Sequence, residues 1–203
     1  MKINRAKNKK PLDLYIIQIK MFMKRISLIV WVSFILFLIS SFSWGDKDDE
    51  KNTQLNAEEI KEMLDAHNFY RNELGIDSLE WSDDLAKEAQ AWADKLAAKG
   101  CRFYHSKTKN GENIYWSSYE STPKEAVDSW GSEKEFYRGG KIESGKVAKY
   151  GHYTQMIWEK TTHVGGGKAI CKNGSTIYVC QYSPPGNFIG EYPYQKKKRN
   201  KNR

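Results

Sequence analysis

The stretch Lys168-Ala169-Ile170-Cys171-Lys172-Asn173-Gly174-Ser175-Thr176-Ile177-Tyr178-Val179-Cys180-Gln181-Tyr182 decides the fold. Two runs, Lys168 to Lys172 and Ser175 to Tyr182, flank Asn173-Gly174, a pair suited to a two-residue hairpin turn because both central positions of such a turn take positive φ. The register that follows sets Lys172 against Ser175, Cys171 against Thr176 and Cys180 against Gly167. The short apolar run Ile114 to Trp116 predicts a further strand.

Upstream of the hairpin the pattern turns helical. Asn56 to Gly75 reads as a first helix. Asn56 with Glu59 makes a capping-box start, Ile60, Met63, Leu64, His67, Tyr70 and Leu74 keep helical spacing, and Gly75 is the stop. Ser82 opens a second helix, with Leu85, Ala89, Trp92, Ala93 and Leu96 on one face and Gly100 as its end. Thr122, Pro123 and Glu125 open a third, with Pro at its first position and Gly139-Gly140 as its end. A fourth, short helix is expected after Gly151, carrying Met156 and Ile157. Helices and strands mix without regular alternation, which indicates helices packed on a largely antiparallel sheet, an α+β fold.

The 203 residues carry a formal charge of +8, which invites a nucleic-acid or membrane partner. Its distribution argues otherwise. The first 45 residues hold 8 Lys/Arg and 1 Asp, and the tail from Lys196 to Arg203 holds 6 basic residues. The body between, Asp46 to Gln195, has 19 basic and 24 acidic residues and offers no footprint for phosphates. No nucleic-acid partner is expected.

At the N-terminus, Lys24 and Arg25 precede an apolar run from Ile26 to Phe42. Ser43 and Gly45 then occupy the −3 and −1 positions of a cleavage site, ahead of Asp46, Asp48, Asp49 and Glu50. This is the order of a secretory signal. Residues 1–45 read as a long leader, with Met21 or Met23 as possible starts. An uncleaved anchor is the rival reading, but the run is near the lower limit for spanning a bilayer. Residues 46–55 read as a polar linker, 56–194 as the folded domain, and 195–203 as a basic disordered tail.

Four segments carry a resemblance. They are His67-Asn68-Phe69-Tyr70-Arg71; Gly111-Glu112-Asn113-Ile114; Gly151-His152-Tyr153-Thr154-Gln155-Met156-Ile157-Trp158; and Ile177-Tyr178-Val179-Cys180-Gln181-Tyr182-Ser183-Pro184-Pro185-Gly186-Asn187. Together and in this order they resemble the CAP superfamily (SCP domain) of cysteine-rich secretory, antigen 5 and pathogenesis-related proteins. The resemblance implies a three-layer α-β-α sandwich around a mainly antiparallel sheet. It also implies a central cleft with two His and two Glu, here His105, Glu112, Glu133 and His152. The residues themselves support one member. Glu133 shares the helix face of Trp130 and Tyr137, where a carboxylate needs a partner. Two imidazoles and two carboxylates suit Zn or another divalent cation, and equally suit a hydrogen-bonded cluster that binds nothing.

His67 lies on the inward stripe of the first helix and reads as a satisfied core histidine; Arg71 ties that helix to a neighbouring loop. Asn68, Asn113, Gly151, Gln155, Trp158, Cys180, Tyr182, Gly186 and Asn187 are the remaining motif positions, expected to be structural. In plant relatives a cysteine stands where this chain has Gly166 and pairs with the equivalent of Cys180. That partner is missing here, so the expected bridge is Cys101–Cys171, with Cys180 free. Such a bridge closes a loop of about 70 residues, worth about 4 kcal/mol in the chain-entropy account. The family's further cysteine pair is absent, and the Gly- and Lys-rich stretch Gly139 to Tyr150 is expected to be mobile. No cysteine-rich C-terminal module follows, so no channel-blocking activity is inferred. Ser183 to Tyr194 resembles the C-terminus that plant members can release as a signalling peptide, but reads more simply as a turn closing the sandwich.

Two functions follow from the resemblance. One is a secreted, monomeric, non-enzymatic protein that binds a sterol, a fatty acid or another amphiphile, or an extracellular protein partner, in defence or host interaction. Trp130, Phe136, Tyr137 and Tyr150 are candidate groove residues. The alternative is a metal-dependent hydrolase or protease using the same tetrad. The chain lacks a His-Glu-x-x-His zinc signature, which favours binding.

Overall fold

The computed structural model describes residues 16, 18–21, 23 and 54–195. The chain divides into two units, Met1–Glu50 and Lys51–Arg203. In the first, the described residues are helical and exposed. The apolar run and cleavage site at 26–45, most of the linker (46–53) and the basic tail (196–203) lie outside the described residues. Among the described residues no helix is long and apolar enough to cross a membrane.

In the second unit, helix α1 is Ala57–Glu73. The Asn56 side chain accepts from the Glu58 and Glu59 N–H groups, and the Glu59 carboxylate accepts from the Asn56 N–H, which closes the capping box. Strand β1 (Glu80–Trp81) and helix α2 (Asp83–Ala98) follow, the latter capped by Ser82. Next come β2 (Gly111–Ser117), α3 (Pro123–Ser132), a 3₁₀ turn (Glu133–Glu135), α4 (Val147–Met156), β3 (His163–Ile170) and β4 (Thr176–Ser183). The sheet order is β1-β3-β4-β2, with β1 parallel to β3 and the other pairs antiparallel. The sheet is therefore mixed. The two-residue β1 carries too little pattern for a sequence reading to find it.

Alternation along β4 builds both cores. Ile177 and Val179, with Ile114 and Ala169, face α2 and pack on Ala89, Ala93 and Leu96. Tyr178, Cys180 and Tyr182 face the other way, against Met63, Ala66 and Tyr70 of α1, Val127 and Trp130 of α3, and Tyr153 and Met156 of α4. The result is an α-β-α sandwich, with α2 alone on one face and α1, α3 and α4 on the other.

Several expectations need correction. The hairpin loop has three residues, not two. Cys171 N–H donates to Ser175 O and Gly174 N–H to Cys171 O, both at 2.8 Å. A two-residue turn would need positive φ at both Asn173 and Gly174, and only Gly174 (+82°) has it. The register therefore shifts by one, and Cys180 stands opposite Gly166 instead of Gly167. The third helix ends at Ser132 and tightens into the 3₁₀ turn, where the Glu133 side chain turns toward α4. The fourth helix begins before Gly151, at Val147, because the Lys146 and Val147 N–H groups both bond Glu143 O and start its first turn. Strands β2 and β3 are longer than their apolar runs suggest, since ladder pairing carries β2 through Gly111–Asn113 and β3 through Gly165–Gly167.

Candidate functional site

The edge strand β2 is the axis of the site. Its residues alternate: Glu112 and Ile114 point to the α2 side, Asn113 and Tyr115 to the α1/α3/α4 side. A cavity of about 310 Å³ wraps around this edge, with Phe103, His105, Glu112, Asn113, Gly151 and His152 among its lining residues.

The four predicted cleft residues form two pairs, one from each side. On the α2 side, His105 Nδ1 lies 2.7 Å from Glu112 Oε1, so Nδ1 carries the proton and donates. The same carboxylate accepts the Ser106 N–H at 2.8 Å and, on Oε2, the Gln181 Nε2 amide at 2.6 Å. Burial alone would raise Glu112; the bonds from His105 and Ser106 outweigh it and hold the carboxyl below its ordinary value. The bond to Glu112 raises His105 above the ordinary imidazole value, against the opposing effect of burial. On the other side, His152 Nδ1 donates to Glu133 Oε1 at 2.6 Å, and Glu133 Oε2 accepts the N–H groups of His152 (2.9 Å) and Tyr153 (3.1 Å). The His152 ring stacks on Trp130 at 6.3 Å between centroids.

Both carboxylates thus accept three protein hydrogen bonds each, and each imidazole keeps its Nε2 without a hydrogen bond among the described residues. Among those residues no group of three or more His, Cys, Asp or Glu side chains is gathered to hold a metal. The donor chemistry offers two imidazole nitrogens, each backed by a carboxylate. That backing is the usual support of metal-ligating histidines, but two nitrogens fall short of a closed zinc shell.

The remaining motif residues build the frame. His67 is fully buried. Its Nδ1 donates to Met63 O (2.7 Å), so its Nε2 accepts from the Tyr182 hydroxyl (2.8 Å). Desolvation, only partly offset by the Met63 bond, lowers it to about 4, so it is neutral and structural. Asn113 Nδ2 donates to Tyr182 Oη and to His152 O, which fixes α4 against β2. The Arg71 guanidinium donates to the carbonyls of Asp77, Met156, Trp158 and Thr161, and so ties several loops rather than one. Asn68 brackets Leu79 through both its N–H and its C=O. Gln155 Oε1 accepts the Gly186 N–H, and the Asn187 amide bridges Thr154 Oγ1 and Gly151 O. Trp158 is buried beneath Gly186, where any side chain would meet the indole. Cys101 and Cys171 are joined, with their Cα atoms 6.1 Å apart; Cys180 is a buried free thiol whose Sγ–H donates to Met63 Sδ.

Within the stretch 139–150, Ile142 is buried, its N–H bonds Glu191 O and its C=O accepts the Gly190 N–H, while 139–141 and 143–146 are exposed. The four expected groove residues do not share one groove: Tyr150 is core, Phe136 is exposed, and Trp130, itself buried, backs a different cavity. The exposed aromatic wall lies elsewhere. A cavity of about 530 Å³ is lined by Phe103, Tyr115, Trp116 and Trp130, with Ser129, Glu133 and His152 as its polar lining. Phe103 lies beside no periodic stripe, and Trp116 reads from sequence only as the end of a short strand; alternation along β2 sets it on the face of Glu112 and Ile114, and the edge position of β2 leaves it half exposed. Gln181 escaped the sequence reading as a polar residue in a buried strand.

The cysteine-rich secretory protein (CAP) family model matches residues 64–182. The chain is 37% identical over 161 residues to pathogenesis-related protein 1C of Nicotiana tabacum, covering 79% of this chain and 89% of that protein. Among solved structures, BmVAL-1 superposes with a TM-score of 0.62 at 26% identity, covering 72% of this chain and 86% of that one. A crystal structure of NaASP2 with Zn²⁺ gives 0.62 at 27% identity, covering 75% and 91%.

Proposed function

The chain belongs to the CAP family of cysteine-rich secretory proteins, and on that premise we propose that it is an extracellular, defence-related binding protein whose cleft takes an amphiphile beside a divalent-cation site. The observation that carries this reading is the engagement of Glu112 and Glu133. In the hydrolase alternative one of these carboxylates takes the proton of a metal-bound water, and here both are already committed to three protein hydrogen bonds each. Binding needs only walls and polar anchors. The aromatic-lined cavity supplies walls in Phe103, Tyr115 and Trp116, and Ser129 with the His152 imidazole forms a polar end for the head group of a sterol or fatty acid.

His105 and His152 would hold the cation through Nε2, with Glu112 and Glu133 orienting the rings. A divalent cation there would supply a positive charge to the cleft and would be held by residues from both sides of the sheet. The crystal structure of NaASP2 with Zn²⁺, a relative of the same fold, supports this choice of ion. Kinship with pathogenesis-related protein 1C supports the defence setting.

The test is equilibrium binding of a labelled sterol and a labelled fatty acid to the purified chain, with and without zinc. Saturable, competable binding that Trp116→Ala weakens about tenfold or more sustains the reading. Hydrolysis of a peptide or ester panel that disappears in Glu133→Ala would replace it with the hydrolase alternative.

A further inference from the structure

The tip of the β3–β4 hairpin holds a motif whose role is not exhausted by the turn it forms. Of the twelve asparagines in the chain, one alone is followed two positions later by Ser or Thr with a residue other than Pro between: Asn173-Gly174-Ser175. We propose that Asn173 is an N-glycosylation site, an inference that rests on the secretory reading above.

Three observations support it. Asn173 is exposed at the apex of the loop, and nothing lies within 4 Å of a Cβ placed at Gly174, so the tip projects into open space. The Asn173 side chain is already folded onto its own sequon. Its Oδ1 accepts the Ser175 N–H at 3.1 Å and the Ser175 hydroxyl at 2.7 Å. Those bonds leave Nδ2 free of any hydrogen bond among the described residues, so the folded hairpin accommodates a substituent there without losing a contact. Finally, the base of the loop is held by the Cys101–Cys171 bridge, so a bulky substituent at the apex disturbs neither core.

The acceptor motif is Asn-x-Ser/Thr, and its modification belongs to surface loops of secreted proteins. Asn173 Nδ2 attacks the anomeric carbon of a lipid-pyrophosphate-linked oligosaccharide. The C–N bond forms as the bond from that carbon to the pyrophosphate oxygen breaks. Nδ2 gives up one proton to a base of the oligosaccharide transferase, and the lipid pyrophosphate departs with the electron pair. Ser175 is buried in the folded hairpin, so transfer precedes closure of the hairpin.

The experiment expresses the full chain in a eukaryotic secretory host, with one unstructured Asn-x-Thr acceptor added after Arg203 as a reporter of passage into the lumen. Glycans are counted by mobility before and after enzymatic deglycosylation. Two glycans, one of them lost in Asn173→Gln and in Ser175→Ala but kept in Ser175→Thr, support the site. One glycan that Asn173→Gln leaves untouched overturns the site while the secretory reading stands. An unmodified reporter overturns the secretory reading and the site with it.

Discussion

On one face of the sheet a single helix rests directly on strand backbone; on the other, three helices are held off it by side chains. A Cβ at Gly165 would lie 2.2 Å from Ala86 N, and one at Gly167 2.4 Å from Gln90 N and Cα. A Cβ at Gly166, on the opposite face, would meet Met63 Sδ at 2.3 Å, the far part of a flexible side chain. The α2 face thus owes its cohesion to close approach of main chains, and the α1/α3/α4 face to the polar ties of Arg71, His67 and Asn113. The two histidine–carboxylate pairs come one from each face and meet around the free edge of β2, so the cleft inherits both kinds of support.

Adding atoms beneath the helices of each face should give the largest effect. Gly167→Val should abolish folding in ordinary expression, because the helix backbone has nowhere to go. Gly166→Ala should cost about 1–3 kcal/mol, the usual range for overpacking that a flexible neighbour absorbs. Soluble expression followed by urea unfolding decides it; a folded Gly167→Val protein with the midpoint of Gly166→Ala would mean that α2 is as adaptable as Met63.

Removing Arg71 attacks the other face. Arg71→Ala orphans the carbonyls of Asp77, Met156, Trp158 and Thr161. A loss of about 3–5 kcal/mol is expected, the size typical for breaking a buried charged network. Hydrogen exchange should show the opening around α4 and residues 157–162, with α2 still protected. Uniform loss of protection across both helices would contradict the division of labour.

Acid provides a milder perturbation of the same face. His67 is lowered to about 4 in the fold, below its unfolded value near 6.5. The unfolded chain therefore binds the extra proton first, and stability falls as pH drops from about 6.5 through 4. The full loss at low pH is on the order of 3 kcal/mol for this group. His67→Gln should flatten that part of the stability profile. A profile equally steep in the variant would assign the acid sensitivity elsewhere.

These contrasts also explain what the sequence disclosed. Helix starts were legible because the signals at Asn56, Ser82 and Thr122 are local and each caps a helix. The cleft histidines and glutamates were legible only through the family motifs, and their division into two pairs was not, since it depends on which side of β2 each element reaches. The one-residue error in the hairpin arose because Asn-Gly suits two loop lengths, and only the φ of Asn173 separates them. Gly165 and Gly167 gave no hydrophobic signal at all. Their importance is the absence of a side chain beneath α2, and this appears only when the helix backbone is in place.

The smallest effect separates the two faces inside the cleft. His105 is 57% exposed at its side chain, so its pair with Glu112 adds little to stability, but its titration reports the pair directly. The bond to Glu112 raises His105, so its stabilisation is present below the ordinary value near 6.5 and fades as pH climbs through the raised one. Glu112→Gln should bring the His105 midpoint, read from its ring-proton shifts, down toward that ordinary value. Gln181→Leu should shift it by a smaller amount, since Gln181 holds the far oxygen of the same carboxylate. Glu133→Gln, on the other face, should leave the His105 midpoint in place, because Glu133 bonds only His152 and Tyr153. If Glu133→Gln moves His105 as far as Glu112→Gln does, the pairs act as one four-residue cluster without any ion between them. If it does so only after zinc is added, the coupling is supplied by the ion, and the two faces are separate until it binds.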